Sequence, residues 1–349
     1  MSCRAPRLAV LAMLGLVVAA GPAPADPGPK GAPKDGPASS PARAAAERGL
    51  AFLEKDAAKW RVDRKCATCH HGTLTVWALC EAKAQGYPVA PDTLADMATW
   101  TRERLKDLDK PRDNRPGWNM VNSPAVYLAV MAQAVPGQSA IAAEELTRIA
   151  GHLVRHQEAD GSWAWSLAPA QNRPPPFFES DEVVTVLAEV ALGPHVPADP
   201  KAKSDARSSR EKATAWLAKG KPTETTQALA VRLFRDVRAG QSAKDLRAGI
   251  DQLIARQNVD GGWGQDKGLP SDAYATGQAL YFLSQAGVKP VRAELQRGVS
   301  YLVATQKDDG SWPMKSRAHP GAEPFKNPVP ITHFGSAWAT LGLLRSAPR

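Results

Sequence analysis

The sequence predicts an all-α protein in which six helical hairpins close into an (α/α)6 toroid, a ring with two layers of helices. The segment Gln-x-x-x-Gly-x-Trp occurs three times, beginning at Gln157, Gln257 and Gln306. The first two copies begin 100 residues apart and the last two 49 apart, so the period is near 50 residues. Such a period is typical of stacked or closed arrays of helical hairpins. Strand signals, such as alternating Val/Ile/Thr runs and Asn-Gly turns, are almost absent.

Segments with helical periodicity alternate along the chain with loops rich in Gly and Pro. They predict helices at residues 43–60, 72–86, 91–109, 119–135, 140–157, 180–193, 208–219, 223–239, 243–257, 271–287, 290–306 and 331–346. Three odd-numbered helices share one string: a basic residue, a small residue, two variable residues, an aromatic residue and Leu. The copies are Arg48-Gly49-x-x-Phe52-Leu53, Lys212-Ala213-x-x-Trp216-Leu217 and Arg297-Gly298-x-x-Tyr301-Leu302.

The even-numbered helices start with polar residues and then become apolar on nearly every side, as in residues 180–188 and 271–280. A helix that is apolar all round is buried between layers. We therefore expect the even-numbered helices to form the inner ring and the odd-numbered helices the outer ring.

The first 41 residues are expected to lie outside the toroid, which takes residues 42–349. Residues 1–25 combine a basic start, an apolar run and a small-x-small site at Ala23-Pro24-Ala25, which predicts a secretory signal peptide. Residues 26–41 are rich in Pro, Gly and Ala, which predicts a disordered linker. The expected location is therefore periplasmic or secreted.

The repeat also carries a resemblance to a known family. Residues 297–312 hold the complete string, running from the basic-small-x-x-aromatic-Leu segment directly into Gln306-x-x-x-Gly310-x-Trp312. This string resembles the QW motif of the terpene cyclases, such as squalene-hopene cyclase, and the similarity extends over about residues 43–346. It implies the toroid that these enzymes share with protein prenyltransferase β subunits. The repeat itself is expected to be scaffold, because buried Gln and Trp side chains need hydrogen-bond partners.

All inner helices of such a toroid start at the same end, so their first turns surround the mouth of the central cavity. Polar residues expected there include His70, His71, Asp181, Asp272 and His333. Ring closure should bring the last inner helix beside the first one. We therefore expect His333 to lie near His70 and His71, although they are far apart in sequence.

The most specific chemical signal is Cys66-Ala-Thr-Cys69-His70, which resembles the attachment site of c-type cytochromes. The resemblance implies that the thiols of Cys66 and Cys69 bond covalently to haem c and that His70 ligates the iron. His333, Met120 or His71 could supply a second axial ligand, or that position could be open. The protein would then have a redox or small-ligand role, with an electron-transfer partner and a small apolar ligand in the cavity.

Two other interpretations of the same segment remain open. Cys66 and Cys69, one of His70 and His71, and His333 would form a tetrahedral zinc site. A local disulfide between Cys66 and Cys69 is the third interpretation. Cys80, farther along the same helix, is expected to be a small core residue.

Asp181 is the candidate catalytic residue of a terpene cyclase. Hopene-type cyclases use an Asp-x-Asp-Asp string whose middle Asp protonates the substrate, and the comparable string here is Glu179-Ser-Asp181-Glu182. The departures are large: two of the three aspartates are glutamates, and such cyclases have two toroid-type domains.

A secreted polysaccharide lyase or glycan binder is a further alternative. Basic residues near the mouth, Arg64, Lys65, Arg112 and Arg115, could contact uronate carboxylates. The net charge of +9 is compatible with peripheral contact with an anionic membrane surface. No basic run is interleaved with aromatic residues, so nucleic-acid binding is not expected.

Overall fold

The computed structural model describes residues 40–65, 67, 69–108, 122–138, 140–163, 180–199, 201, 203–314 and 328–347. The predicted signal peptide and nearly all of the predicted linker lie outside these residues, as do Cys66, Met120, Arg112 and Arg115 and the side chain of Cys69. The α-helices of the described part are α1 (Pro41–Arg64), α2 (Thr75–Ala84), α3 (Pro91–Arg102), α4 (Asn122–Ala134), α5 (Ala143–Arg155), α6 (Asp181–Leu192), α7 (Asp205–Lys219), α8 (Thr226–Arg238), α9 (Ala243–Ile254), α10 (Ala273–Gln285), α11 (Ala293–Thr305) and α12 (Pro328–Ser346).

Each α-helix matches one predicted segment, and the boundaries differ by a few residues. The largest difference is at the second segment, which begins as a π-helical turn, Cys69–Leu74, before α2. The third segment ends as a 3-10 turn, Glu103–Asp107, rather than as α-helix. Among the described residues, no helix is long and apolar enough to span a membrane.

The even-numbered helices form the inner ring, as expected. In α6 every residue from Val183 to Leu192 is buried, and in α10 every residue from Ala273 to Leu283 is buried. Contacts run from α4 to α6, α8, α10 and α12 in turn, then from α12 to α2, and the π-helical turn contacts both α4 and α12. The ring is therefore closed where α12 meets α1 and α2, and we call this junction the closure seam.

The glutamine of each repeat connects two neighbouring outer helices. Its side-chain Nε2 donates to the carbonyl of its own glycine, at 2.7–3.0 Å in the three copies. It also donates to a carbonyl near the start of another outer helix. These second bonds are Gln157 to Ser209 of α7 (2.7 Å), Gln257 to Glu294 of α11 (2.7 Å) and Gln306 to Ala45 of α1 (2.9 Å). The third copy thus links α11 to α1 at the closure seam.

The tryptophan of each repeat connects its own outer helix to an inner helix. In the last copy, Trp312 Nε1 donates to the Leu302 carbonyl (2.9 Å), and its backbone N–H donates to Ser336 Oγ of α12 (2.9 Å). The other two copies have the same pair of bonds. Trp163, Trp263 and Trp312 are at most 2% exposed. The repeat therefore has the scaffold role predicted for it.

The Gly-x-Trp turn of one repeat packs against the basic-small pair of another outer helix. Gly310 has φ +86°, and a Cβ there would lie 2.3 Å from the Arg48 carbonyl oxygen. Gly49, the small residue next to Arg48, faces the ring of Trp312, which a Cβ would approach to 3.2 Å. The Gly-x-Trp turn that follows one outer helix therefore packs closely on the basic-small pair of another outer helix.

Aromatic side chains occupy much of the space between α2, α4, α10 and α12. Trp77 is 5.4 Å from Trp338 and 5.7 Å from Tyr281 between ring centroids, and Trp77 Nε1 donates to Tyr281 Oη at 3.0 Å. Toward the C-terminal ends of these helices, Glu81 is fully buried and pairs with Arg345 at 2.6 Å. The inner ring is thus packed with side chains at this end.

Candidate metal centre at the closure seam

Three elements meet at the end of the closure seam where α2 and α12 begin, and they place one polar cluster there. Asp56 lies on the face of α1 that also carries Phe52 and Trp60, because positions four apart share one side of a helix. His71 comes from the π-helical turn and His333 from α12. One carboxylate and two imidazoles from opposite ends of the chain therefore face one another.

One carboxylate oxygen of Asp56 contacts both imidazoles. Asp56 Oδ2 is 3.0 Å from His71 Nε2 and 2.8 Å from His333 Nδ1. The other nitrogen of the His333 ring, Nε2, is 3.1 Å from Thr75 Oγ1. The ligand atoms of Asp56, His71 and His333 all lie within 4.8 Å of one another, which is close enough for one metal ion to bind all three.

His70 extends the cluster on the far side of His71. Side chains at consecutive positions diverge in a regular α-helix, yet the rings of His70 and His71 are 4.4 Å apart and their Nδ1 atoms are in contact. The π-helical turn makes this possible because its extra residue per turn changes the direction of the side chains. Such turns are frequent at functional sites. Gly72 allows the turn to approach α3, since a Cβ there would lie 2.8 Å from Thr101 Oγ1.

Aromatic rings enclose the cluster. Trp60 stacks on His71 at 4.3 Å with an interplanar angle of 11°, and His71 stacks on His333 at 3.9 Å. The edge of His70 meets Trp60 at 4.9 Å. His71 and His333 are fully buried, whereas 20% of the Asp56 side chain is exposed. Solvent therefore reaches the cluster at the carboxylate.

Burial sets the protonation of the cluster. It lowers the pKa of His71 to about 3, because removing an imidazolium from water is unfavourable. For the same reason the pKa values of His333 and His70 lie below the usual range, although the Asp56 charge opposes the shift. Burial acts to raise the pKa of Asp56, but hydrogen bonds from His333 and His71 outweigh it and leave that pKa well below its usual range. At neutral pH the cluster is one carboxylate with neutral imidazoles.

Thr75, His333 and Asp56 also form a line of hydroxyl, imidazole and carboxylate, the order found in hydrolases that use a hydroxyl nucleophile. Thr75 is fully buried, however, and so is the ring of His333. A nucleophile must reach its substrate, so this line of groups is not presented to a ligand.

The expected meeting of His333 with His70 and His71 is present, with ring centroids 6.5 Å and 3.9 Å apart. Two other predicted site residues, Asp181 and Asp272, lie at the starts of other inner helices. Asp181 begins α6, next to Glu182, which accepts from the Thr223 N–H at 2.7 Å and pairs with Arg232 of α8. Asp272 is the N-cap of α10, where it accepts from the Ala275 N–H at 2.8 Å. Cys80 is a buried core residue, as expected, and burial raises the pKa of its thiol to about 11.

Sequence reasoning missed Asp56, Trp60 and Thr75. The available signal was an acidic residue within the inward-facing stripe of α1, between Phe52 and Trp60 and next to the buried Ala57. A carboxylate in such a stripe needs a partner, because burying an unpaired charge is unfavourable. The stripe did not reveal that the partners lie 15 and 277 positions away.

Comparisons with known proteins identify the scaffold. The chain is similar in structure to the type II terpene cyclase MstE from Scytonema in its apo form, with a TM-score of 0.52 and 16% identity. The superposition covers 88% of this chain and 99% of that one. The fold is that of the type II terpene cyclase toroid. A possible member of the GH105 family from Salmonella enterica serovar Paratyphi A has the same fold, with a TM-score of 0.56, 14% identity and coverage of 87% of this chain and 93% of that one.

Sequence similarity is confined to part of the toroid. The model of the squalene-hopene cyclase C-terminal domain matches residues 220–348. Squalene–hopene cyclase of Zymomonas mobilis is 30% identical over 125 residues, which are 35% of this chain and 18% of the relative. Drimenyl diphosphate synthase of Streptomyces showdoensis is 34% identical over 70 residues, 20% of this chain and 13% of that enzyme. The chain thus spans under a fifth of these curated relatives. Within the cluster, His333 lies inside the matched family segment, whereas Asp56, His70, His71 and Thr75 lie outside it.

Proposed function

We propose that this terpene-cyclase-like toroid is a metal-binding protein whose ion, of the zinc class, is held at the closure seam by Asp56, His71 and His333. The observation that carries the proposal is the convergence of these ligand atoms within 4.8 Å from three separate elements. The carboxylate oxygen lies 2.8 Å and 3.0 Å from the two nitrogens, which are hydrogen-bond distances. Neighbouring ligands of a tetrahedral zinc ion lie about 3.3 Å apart, so side-chain shifts of a few tenths of an ångström would admit the ion.

The protonation of the cluster favours the same function. Metal ligation requires neutral imidazoles and an ionised carboxylate. Burial keeps His71 and His333 neutral, and the hydrogen bonds to Asp56 keep its carboxylate ionised. The site is therefore ready for an ion at neutral pH without the loss of a histidine proton to solvent.

A fourth ligand would complete the tetrahedral arrangement that zinc prefers. Cys66 and Cys69 lie five and two positions before His71, and a thiolate from either would give an Asp-His-His-Cys set. An alternative is an open fourth position on the exposed side of Asp56. A bound ion would then act as a Lewis acid toward a small substrate.

Metal analysis of the purified full chain tests this function. We expect about one divalent ion per chain, and a loss of binding in Asp56→Asn, His71→Gln and His333→Gln. Asp63→Asn is the matched control, because Asp63 lies on the same helix, is exposed and pairs only with Lys59 in the contacts described. A wild-type chain without stoichiometric metal, or Asp56→Asn with unchanged binding, would contradict the proposal.

Haem c is the second candidate cofactor, and one observation favours it besides the motif. His70 contacts His71 through Nδ1, and His71 contacts Asp56 through Nε2, so a hydrogen-bonded chain could orient His70 as an iron ligand. His70 is only 5% exposed, however, and a haem would have to displace some of its covering. A Soret band and a denaturation-resistant mass gain after expression with periplasmic haem maturation, both lost in Cys66→Ala and Cys69→Ala, would favour haem over zinc.

Terpene cyclisation is the third candidate, favoured by the match of residues 220–348 and by the position of Asp181 at the start of an inner helix. Incubation with squalene and product analysis test it, with Asp181→Asn as the variant that should abolish turnover. Absence of product from the wild-type chain would exclude squalene as its substrate.

Export and the expected partners are part of the proposal. A periplasmic or secreted location predicts a mature chain that begins near residue 26, which mass spectrometry of the secreted protein would reveal. A small apolar ligand has a candidate place in a cleft of about 560 Å³ beside the start of α10, lined in part by Leu269, Tyr301, Trp312 and Met314. The redox role and its electron-transfer partner depend on the haem candidate, and membrane contact depends on the basic surface.

A further inference from the structure

We propose that Thr75 and His70 are positioning residues for the metal site, and that they determine which ring nitrogen His333 and His71 present to the ion. This inference rests on the metal-binding function proposed above. Each of the two residues contacts the ring nitrogen that does not face Asp56: Thr75 Oγ1 lies 3.1 Å from His333 Nε2, and His70 Nδ1 contacts His71 Nδ1.

The contacts with Asp56 assign the ring protons of the metal-free cluster. His71 Nε2–H and His333 Nδ1–H both donate to Asp56 Oδ2, because a carboxylate only accepts. An imidazole that carries one ring proton has a lone pair on its other nitrogen, and that nitrogen can only accept a hydrogen bond. His333 Nε2 therefore accepts from the Thr75 hydroxyl, and His71 Nδ1 accepts from His70 Nδ1–H.

Metal binding reverses these two hydrogen bonds. His71 Nε2 and His333 Nδ1 would give their lone pairs to a bound ion, so each ring would carry its proton on the opposite nitrogen. His333 Nε2–H then donates to Thr75 Oγ1, and His71 Nδ1–H donates to His70, whose own proton moves to Nε2. A hydroxyl and a neutral imidazole can each donate or accept.

The inference has two specific consequences. His333 ligates through Nδ1 and His71 through Nε2, so the two imidazoles use different ring nitrogens. A side chain at position 75 that cannot accept a hydrogen bond also leaves His333 Nε2–H buried without a partner in the metal-bound form. Partners of this kind typically contribute about 10- to 100-fold to metal affinity.

Chelator-competition titration with Zn²⁺ measures the effect on the full chain. We expect Thr75→Val to weaken affinity about 10- to 100-fold and Thr75→Ser to restore most of the loss. Thr73→Val is the matched control, because Thr73 is fully buried in the π-helical turn and its hydroxyl has no hydrogen-bond partner among the described residues. That substitution should leave the affinity unchanged.

A second measurement identifies which ring nitrogen of each histidine binds the ion. Histidine 15N NMR of the Zn²⁺-loaded wild type should show one ring bound through Nδ1 with its proton on Nε2, and one ring with the opposite pattern. The Nδ1-bound pattern should be absent in His333→Gln and weakened in Thr75→Val. His70→Phe, which keeps the aromatic packing, should weaken binding as Thr75→Val does.

Failure of this inference is distinguishable from failure of the metal site. If Thr75→Val binds Zn²⁺ as tightly as the wild type, the positioning role is overturned and the metal site stands. The same holds if the wild type binds Zn²⁺ through Nε2 of both rings. An equal loss in Thr73→Val would show a packing effect and would also overturn it. Wild-type chain that binds no Zn²⁺ would remove both proposals together.

Discussion

At the scale of single residues, Asp56 is the point on which the cluster depends. One carboxylate oxygen satisfies two buried imidazoles, and the exposed edge of the same side chain is the contact between the cluster and solvent. Replacing Asp56 would leave two buried ring N–H groups without an acceptor, which is unfavourable wherever water cannot reach them.

The stability of the metal-free protein should depend on pH through these histidines. Burial lowers the pKa of His71 from 6.5 to about 3, so the unfolded chain binds more protons than the folded chain between these values. The free energy of unfolding therefore falls as pH drops below about 6.5, by up to about 1.4 kcal/mol per pH unit for each such histidine. Asp56 adds to the loss only below its unfolded pKa near 3.8. Urea unfolding with chelator present, from pH 7 to pH 4, measures this slope.

A single substitution separates the contribution of His71. In His71→Gln the slope should become shallower by up to about 1.4 kcal/mol per pH unit. His195→Gln is a useful comparison, because burial also lowers the pKa of that half-buried residue but its surroundings are more open. Identical slopes for wild type and His71→Gln would show that folding does not lower the pKa of His71.

At the scale of elements, the repeated turn is more than a connection. In each copy, the glutamine and the glycine contact one neighbouring outer helix and the tryptophan contacts an inner helix, so one seven-residue segment fixes its own outer helix to both. The basic-small pair of the neighbouring outer helix is the surface that this segment contacts.

Gly310→Ala should destabilise the fold more than Gly287→Ala. Both glycines have positive φ, +86° and +81°, so both substitutions carry backbone strain of about 1 kcal/mol. At Gly310 the new Cβ would also lie 2.3 Å from the Arg48 carbonyl oxygen, whereas nothing lies within 4 Å at Gly287. We expect a total of roughly 3 kcal/mol at Gly310, measured by urea unfolding. Equal losses would mean that α1 moves away from the turn at little cost.

The elements also show what could be read from the sequence. Apolar periodicity was sufficient for the twelve helices because each one buries a long face, and the repeat gave their order around the ring. The π-helical turn could not be predicted, since its geometry depends on contacts with α3 and α12 that are distant in sequence. His333 was placed correctly by ring closure, whereas Asp56 was missed because its partners, 15 and 277 positions away, leave no mark on the sequence around it.

At the scale of the whole molecule, the proposed ion joins both ends of the ring. Asp56 and His71 belong to the first hairpin and His333 to the last helix, so ligation would cross-link the closure seam. A ligand that binds only the folded form stabilises what it joins.

Hydrogen exchange should therefore show a local effect of metal. Adding Zn²⁺ should slow amide exchange in α1 and α12 and leave α7 (Asp205–Lys219) and α9 (Ala243–Ile254) unchanged. Gln306→Ala is an informative variant, because it removes the bond to the Ala45 carbonyl at the same seam without touching the metal ligands. It should speed exchange in α1 even when the ion is bound. Uniform slowing across all helices would contradict a seam-specific role.

Closure of the ring by its last helix has a consequence for biosynthesis. Asp56 and His333 are separated by 277 positions, so a ribosome must make nearly the whole toroid before both can meet. Contacts of such long range form late in folding, after local helical hairpins have assembled. A growing chain would thus pass through an open, horseshoe-like stage in which its first hairpin displays His70, His71 and Asp56 without their final partner. The proposed ion could therefore bind all three of its ligands only after the ring has closed.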